Sequence, residues 1–174
     1  MPQSDTDLIT LTLSGDEKAF ETIVERYWDK LHRYTLRLLN YNQADAEDAT
    51  STAFIKAYQN LAGYNPKLKF SSWIYRIAHN EAVNIIRKNS KFFSFDPFTS
   101  SLSLLPGKAD VDITKLEIEQ ALSKLKPADR NILILFYLEE LSIKEIAEIL
   151  KSTPGSIKSR LSLARKQARK TLSS

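Results

Sequence analysis

The chain has 174 residues, 43% of them hydrophobic and 26% charged, with a formal charge of +4, which is the balance of a soluble globular protein and not of a disordered one. Only 4 Gly and 6 Pro are present and no Cys, which excludes collagen-like material, a disulfide framework, a thiol nucleophile and Cys-ligated metal, and argues against an all-β fold with many tight turns. Cysteine-free composition fits a reducing cytoplasm, no apolar run approaches the ~18–20 residues of a membrane span, and the polar, acidic start MPQSDTDLIT is not a secretory signal.

Helical periodicity runs almost throughout. Ser4 and Asp7 stand at capping-box spacing ahead of Leu8, Ile9 and Leu13, and Ser14-Gly15-Asp16 is a turn. A long helix is expected from about Glu17 to Leu39 on the stripe Phe20, Ile23, Val24, Tyr27, Leu31, Tyr34 and Leu38. Asn40-Tyr41-Asn42 breaks it. A third helix is expected over roughly Ala44 to Leu61, with Ala49, Ala53, Ala57 and Leu61 on one face. Gly63-Tyr64-Asn65-Pro66 opens a loop that continues to Phe70. A fourth helix follows from about Ser72 to Ser90, with Ile74, Ile77, Ala78, Ile85 and Ile86 facing inward.

The period stops over residues 91–112, rich in Ser and Phe and holding Pro97, Pro106 and Gly107, so this stretch reads as a linker. Its apolar load, which includes Phe92, Phe93 and Leu105, predicts that it packs on its own domains or on a partner. Helices resume after Ile113. Leu116, Ala121, Leu122 and Leu125 mark the first inward stripe, and Pro127 starts the next helix, with Ile132, Leu133, Leu135 and Phe136. Ser142 with Glu145 forms a second capping box, Lys151-Ser152 is a tight turn, and Thr153-Pro154 is the N-cap and first residue of a final helix. The expected fold is all-α: two small helical domains, 1–90 and 113–174, joined by an irregular linker, the second carrying a helix-turn-helix.

Charge is unevenly distributed. Residues 1–90 hold 11 Lys/Arg and 11 Asp/Glu, whereas residues 113–174 hold 12 and 7, and no acid occurs from Ser152 onward. A one-sided basic end suits a polyanion, and equally a solvated terminal helix. In the last helix Ile157, Leu161, Ala164 and Ala168 share one narrow arc at ~100° per residue. The opposite face carries Gly155, Ser159, Ser162, Leu163 and Lys166, flanked by Lys158 and Arg165 on one side and Ser156 and Arg160 on the other. Small residues let a backbone approach a major groove, and Lys and Arg meet phosphate and guanine. Leu163 is either half covered by basic stems or placed to touch a thymine methyl.

The fourth helix has a comparable outward face in Trp73, Arg76, Asn80, Asn84 and Arg87, extended by Lys67 and Lys69. It suits single-stranded nucleic acid, where rings stack on bases and Arg meets backbone. It also suits an ordinary wet face with Trp73 covering the core edge. Asp45, Glu47 and Asp48 begin the third helix, either compensating its dipole or docking a basic partner. His32 and His79 fall on different helices, and no P-loop, H-E-x-x-H or G-x-S-x-G occurs, so catalytic residues, metal ligands and cofactors are not expected.

Four segments in order carry a resemblance: GDEKAFETIVERYWDKLHRYTLRLL, ADAED followed by AFIKAY, FSSWIYRIAHNEAVNIIRK, and LSIKEIAEILKSTPGSIKSRLSLARKQAR. Together they resemble the extracytoplasmic-function sigma factors, small promoter-recognition subunits of bacterial RNA polymerase. The resemblance implies a cytoplasmic, non-enzymatic initiation subunit that binds core polymerase at its clamp and flap regions and meets promoter DNA in both double-stranded and melted form. It implies that Asp45, Glu47 and Asp48 dock on the clamp. It implies that the loop from Gly63 to Phe70, with Tyr64, and the face through Asn80 meet the downstream promoter element, and that Ser156, Lys158, Ser159, Ser162 and Leu163 enter the upstream major groove. It suggests an anti-sigma protein as a further partner. The competing reading is a stand-alone helix-turn-helix regulator with a helical effector or dimerisation domain, which leaves the Trp73 face and the apolar linker unexplained.

Overall fold

The computed structural model describes residues 3–90 and 112–174. The expected linker, apart from Asp112, lies outside the described residues, and so does its packing. Among the described residues every regular element is helical: α1 (Asp5–Leu13), α2 (Glu17–Leu38), α3 (Gln43–Gln59), α4 (Phe70–Asn89), α5 (Lys115–Ala121), α6 (Pro127–Leu133), α7 (Ile143–Ile149) and α8 (Pro154–Leu172). Helices α1–α4 pack as one group and α5–α8 as another.

Side-chain caps set most helix starts. Ser4 accepts from the Asp7 amide while the Asp7 carboxylate accepts from Ser4 N–H, and Ser142 with Glu145 repeats the arrangement before α7. Thr114 with Glu117 caps α5 in the same way. Asp16, Asn42 and Thr153 cap α2, α3 and α8. Asn40 and Tyr41, at φ 54° and 62°, turn the chain from α2 into α3. Thr35 and Thr50 are fully buried between those helices, their hydroxyls 2.9 Å apart, with Thr50 donating to the Ala46 carbonyl.

Several sequence expectations need correction. Helix α3 ends at Gln59, with Leu61–Gly63 a 3₁₀ turn, and α4 starts two residues before Ser72. The deepest stripe of α4 is Ile74, Tyr75, Ala78 and Ala82, whereas Ile77, Ile85 and Ile86 are only partly buried. The helix is rotated because α3 and α7 both pack on it. Leu116 points to solvent at 69% exposure, and Ile118 takes its place inside. Residues Ile134–Leu138 form a π turn between α6 and α7.

The two helical groups meet along a polar seam. Tyr34 is fully buried and donates to Asn131 Oδ1 at 2.8 Å, with His79 Nδ1 3.1 Å from the same hydroxyl and 3.4 Å from Asn131 Nδ2. The buried Arg130 guanidinium donates to the carbonyls of Leu122, Leu125 and, across the seam, Leu38. Arg37 lies between Glu119 at 2.6 Å and Glu139 at 3.3 Å.

Burial, aided by the Arg87 charge, lowers His79 from 6.5 to about 4. The folded chain thus keeps a neutral ring at pH values where the unfolded chain binds a proton. The resulting stability is complete above pH 6.5 and drains as pH falls, by about 3 kcal/mol once both pKa values are passed. The half-buried Asp129, whose carboxyl is raised by desolvation, opposes this in part. Urea unfolding should therefore show stability falling between about pH 6.5 and pH 4.5, above the range where ordinary carboxylates titrate. His79→Gln should flatten that limb; an unchanged limb would mean that His79 is not its source.

Candidate nucleic-acid interface

Helix α4 divides its predicted outward face in two. Trp73, Asn80, Asn84 and Arg87 line one open groove of about 520 Å³. Lys56 and Asn60 line it from the end of α3, and sequence reasoning missed both. Their signal was present as an i, i+4 pair on the last turns of α3, but only the α3–α4 packing brings them to this groove. Lys56 pairs with Glu81 at 2.6 Å, so one cation of the groove is partly neutralised by its own wall.

Trp73 also belongs to an aromatic cluster. Its ring centroid lies 5.4 Å from Tyr64 and 5.6 Å from Phe70. Both readings of Trp73 therefore meet in one residue, since it packs on the core and still borders the groove. The Tyr64 hydroxyl donates to the Leu68 carbonyl and holds the loop closed, a structural task. Lys67 is exposed. Lys69 and Arg76 turn the other way: Lys69 pairs with Glu145 at 2.8 Å, and Arg76 donates twice to the Glu148 carbonyl at 3.0 and 2.6 Å.

In α8 the buried residues are the four expected, Ile157, Leu161, Ala164 and Ala168. Lys151, at φ 49°, makes the sharp turn from α7, and Pro154 occupies the first turn, where its missing N–H costs no bond. Gly155 and Lys158 are exposed, while Ser156, Ser159, Ser162, Leu163 and Lys166 are partly covered. Leu163 thus has the half-covered position that the sequence left open. Arg160 lines a small cleft with His79, Asp129 and Asn131 at the seam, and its charge acts on Asp129.

Asp45, Glu47 and Asp48 sit in different surroundings. Asp45 accepts from Asn89 Nδ2 at 3.3 Å and so ties α3 to the end of α4, while Glu47 and Asp48 are exposed. Beyond them on α3, Ile55 is 57% exposed and Tyr58 46%. Among the described residues no group of three or more Asp, Glu or His is placed to hold a metal ion, and no helix is long and apolar enough to cross a membrane.

Residues 23–92 match the family described as Sigma-70 region 2, and residues 115–167 match Sigma-70, region 4. The chain is 36% identical to the ECF RNA polymerase sigma factor SigW of Bacillus subtilis, over 91% of either chain. It is 28% identical to the RNA polymerase sigma-H factor of Pseudomonas aeruginosa, over 98% of this chain and 94% of that one. Its fold is similar to that of CnrH, solved in complex with the cytosolic domain of CnrY, with a TM-score of 0.73 at 20% identity over 98% of each chain.

Within the second matched segment, Arg165 is held by aromatic faces. Its guanidinium carbon lies 5.7 Å from the Phe136 ring centroid and 5.6 Å from that of Tyr137, both residues of the π turn. Arg165→Ala should therefore lower stability in urea unfolding by roughly 1–2 kcal/mol. Lys158→Ala, on the exposed face, should stay within about 0.5 kcal/mol of the wild type. Equal effects from the two would make Arg165 a groove residue like its neighbour.

Proposed function

The chain belongs to the extracytoplasmic-function sigma factors, which bind core RNA polymerase and give it promoter specificity, and from that premise we propose how its residues divide the work. Helix α8 reads the upstream element. Lys158 and Lys166 meet phosphate, Gly155, Ser156 and Ser159 allow close approach, and Ser162 with Leu163 touches base edges or a thymine methyl. Arg165 positions α8 through the π turn, and Arg160 stands nearer the seam than the groove. The face of α4 bordered by Trp73, Asn80, Asn84 and Arg87, with Lys56 and Asn60, takes the melted downstream strand by stacking and phosphate contact. Lys67 extends that face, whereas Lys69 and Arg76 border it from the side held by α7.

The polymerase-docking surface is the exposed side of α3. Glu47 and Asp48 supply charge, and Ile55, seven residues beyond Asp48 and so on the same helical face, supplies an apolar anchor. Asp45 positions α3 against α4. The reaction chemistry belongs to the polymerase and none to this chain, which works in the cytoplasm. Domain boundaries near residues 90 and 113 follow the helical groups. An anti-sigma protein is a further partner, a reading supported by similarity to the sigma factor RpoE of Bartonella quintana, solved with the anti-sigma factor NepR. The observation that carries the proposal is the pair of family matches, one on each helical group, with α8 turning small and basic residues away from its buried stripe.

Run-off transcription with core polymerase tests it: specific initiation is expected only when this chain is added. Glu47→Lys with Asp48→Lys should reduce pull-down of core polymerase while the chain stays folded, since substitutions at exposed positions usually stay within about 0.5 kcal/mol each. Undiminished pull-down would remove docking from this face.

The residues of α8 should separate by salt dependence. Lys158→Ala in the holoenzyme should flatten the slope of log affinity against log salt by ~0.9, equally for any promoter sequence. Leu163→Ala should leave that slope alone and cost ~1–3 kcal/mol at one promoter position. A uniform loss across sequences from Leu163→Ala would assign that side chain to packing.

A further inference from the structure

Helix α4 carries one carboxylate into the groove assigned to the melted strand. Among the described residues that line it, Glu81 is the only acid, beside the cations Lys56 and Arg87 and the amides of Asn80 and Asn84. Its side chain is 13% exposed and accepts from Lys56 Nζ at 2.6 Å, while the Lys56 side chain is 46% exposed. The ammonium thus stands toward the rim, and the carboxylate lies deeper, where α3 packs on α4. As a tie between those helices the pair contributes little, since an ion pair with one partner so exposed is screened by water and salt. Toward phosphate Glu81 is a liability, because a carboxylate has no proton to donate and repels a polyanion. Toward a base it has a use. Cytosine and adenine carry an exocyclic amino group at the position where thymine and guanine carry a carbonyl. A carboxylate accepts from the first and repels the second, and in a melted strand the pairing edge of the base is free to be read.

We propose that Glu81 is a specificity-determining residue for the downstream element, its carboxylate accepting from the exocyclic amino group of a cytosine or adenine at one promoter position and disfavouring thymine or guanine there. This role rests on the reading of α4 as the downstream-element face. Lys56, held at 2.6 Å, donates to the neighbouring ring nitrogen, N3 of cytosine or N1 of adenine, so that the pair presents an acceptor and a donor side by side. Ile77, one turn before Glu81, and the buried Val83 give the ring an apolar floor. Water competes weakly for a carboxylate this recessed, which strengthens the hydrogen bond it accepts. Trp73 precedes Glu81 by two turns of α4, about 12 Å along the axis, so the base stacked on Trp73 is not the base read by Glu81.

The test uses holoenzyme assembled from core polymerase and the full chain, transcribing a promoter library randomised over the downstream element. The wild-type chain should favour cytosine and adenine over thymine and guanine at one position. Glu81→Gln, which keeps the shape but adds an amide donor, should reduce that preference roughly tenfold and leave the other positions unchanged. A synthetic premelted promoter then compares 5-methylcytosine with thymine at that position, two bases that share the methyl group and differ at the amino or keto edge. Wild-type holoenzyme should bind the first roughly tenfold more tightly, and Glu81→Gln should bind the two alike. No amino preference at any position in the wild type, or the same preference in Glu81→Gln, would overturn the assignment. A loss spread equally over all sequences would leave Glu81 only the task of tying α3 to α4. Circular dichroism checks folding; if Glu81→Gln has lost helix, Glu81→Ala is held to the same outcomes. Trp73→Ala separates the two ideas, since it should lower permanganate reactivity of the melted strand with the Glu81 preference intact. Melting impaired by Trp73→Ala beside a Glu81→Gln chain that selects bases as the wild type does removes the assignment of Glu81 alone. Melting and base selection indifferent to both substitutions remove the reading of α4 with it.

Discussion

Tyr34 is wholly buried, and a buried hydroxyl without a hydrogen-bond partner costs on the order of 1–3 kcal/mol. Its partner, Asn131, lies 97 residues away in the other helical group. That one bond requires α2 and α6 to face each other in a single register. His79 of α4 closes the cluster, and burial there keeps its ring neutral. Arg130 makes the same demand from the opposite direction, bracing its own group with the Leu122 and Leu125 carbonyls and reaching the end of α2 through Leu38. Buried polar groups of this kind specify one arrangement more than they stabilise it, because each leaves a penalty when the partner is withdrawn.

Charge follows the same division. The second helical group carries acids in α5–α7 and the segments that join them, and none from Ser152 onward. Glu119, Glu139 and Glu145 all accept from the first group, so three of the seven acids of this domain are spent on the seam. Helix α8 is left with cations, of which Arg169 returns to Glu117 at 2.5 Å and ties α8 to α5. An acid on the outer face of α8 would supply an internal counter-ion to the lysines that a polyanion must reach.

Local signals were legible in the sequence, and distant ones were not. The capping boxes at Ser4 and Ser142, the Thr153-Pro154 start and the buried stripe of α8 each depend on residues within a few positions of one another. The π turn was not legible, because Ile132 through Leu138 is an unbroken apolar run in which any helical period is hidden. Leu116 misled for a related reason: α5 is only 7 residues long, too short for apolar spacing to fix its rotation. On α4 the outward residues were found, but their division between groove and seam was not. Nothing local to Arg76 indicates that a carbonyl of residue 148 will meet it.

The division of α4 has a physical logic of its own. A helix packed on α3 along one side and on α7 along the other has little outward surface left, and its cations on the α7 side must be held by acceptors of that neighbour. An apolar seam would serve poorly, since exposing it on opening would create a large hydrophobic patch. Carboxylates, carbonyls and hydroxyls can exchange a protein partner for water or phosphate at modest net cost, because each hydrogen bond lost is replaced by another of similar strength. The ion pairs at Lys69 and Arg37, partly exposed as they are, are also weakened by salt. The buried Tyr34–Asn131–His79 cluster is different, because withdrawing either partner would leave a buried polar group unpaired. The seam thus combines exchangeable contacts at its edge with a polar centre that fixes the register of the two helical groups.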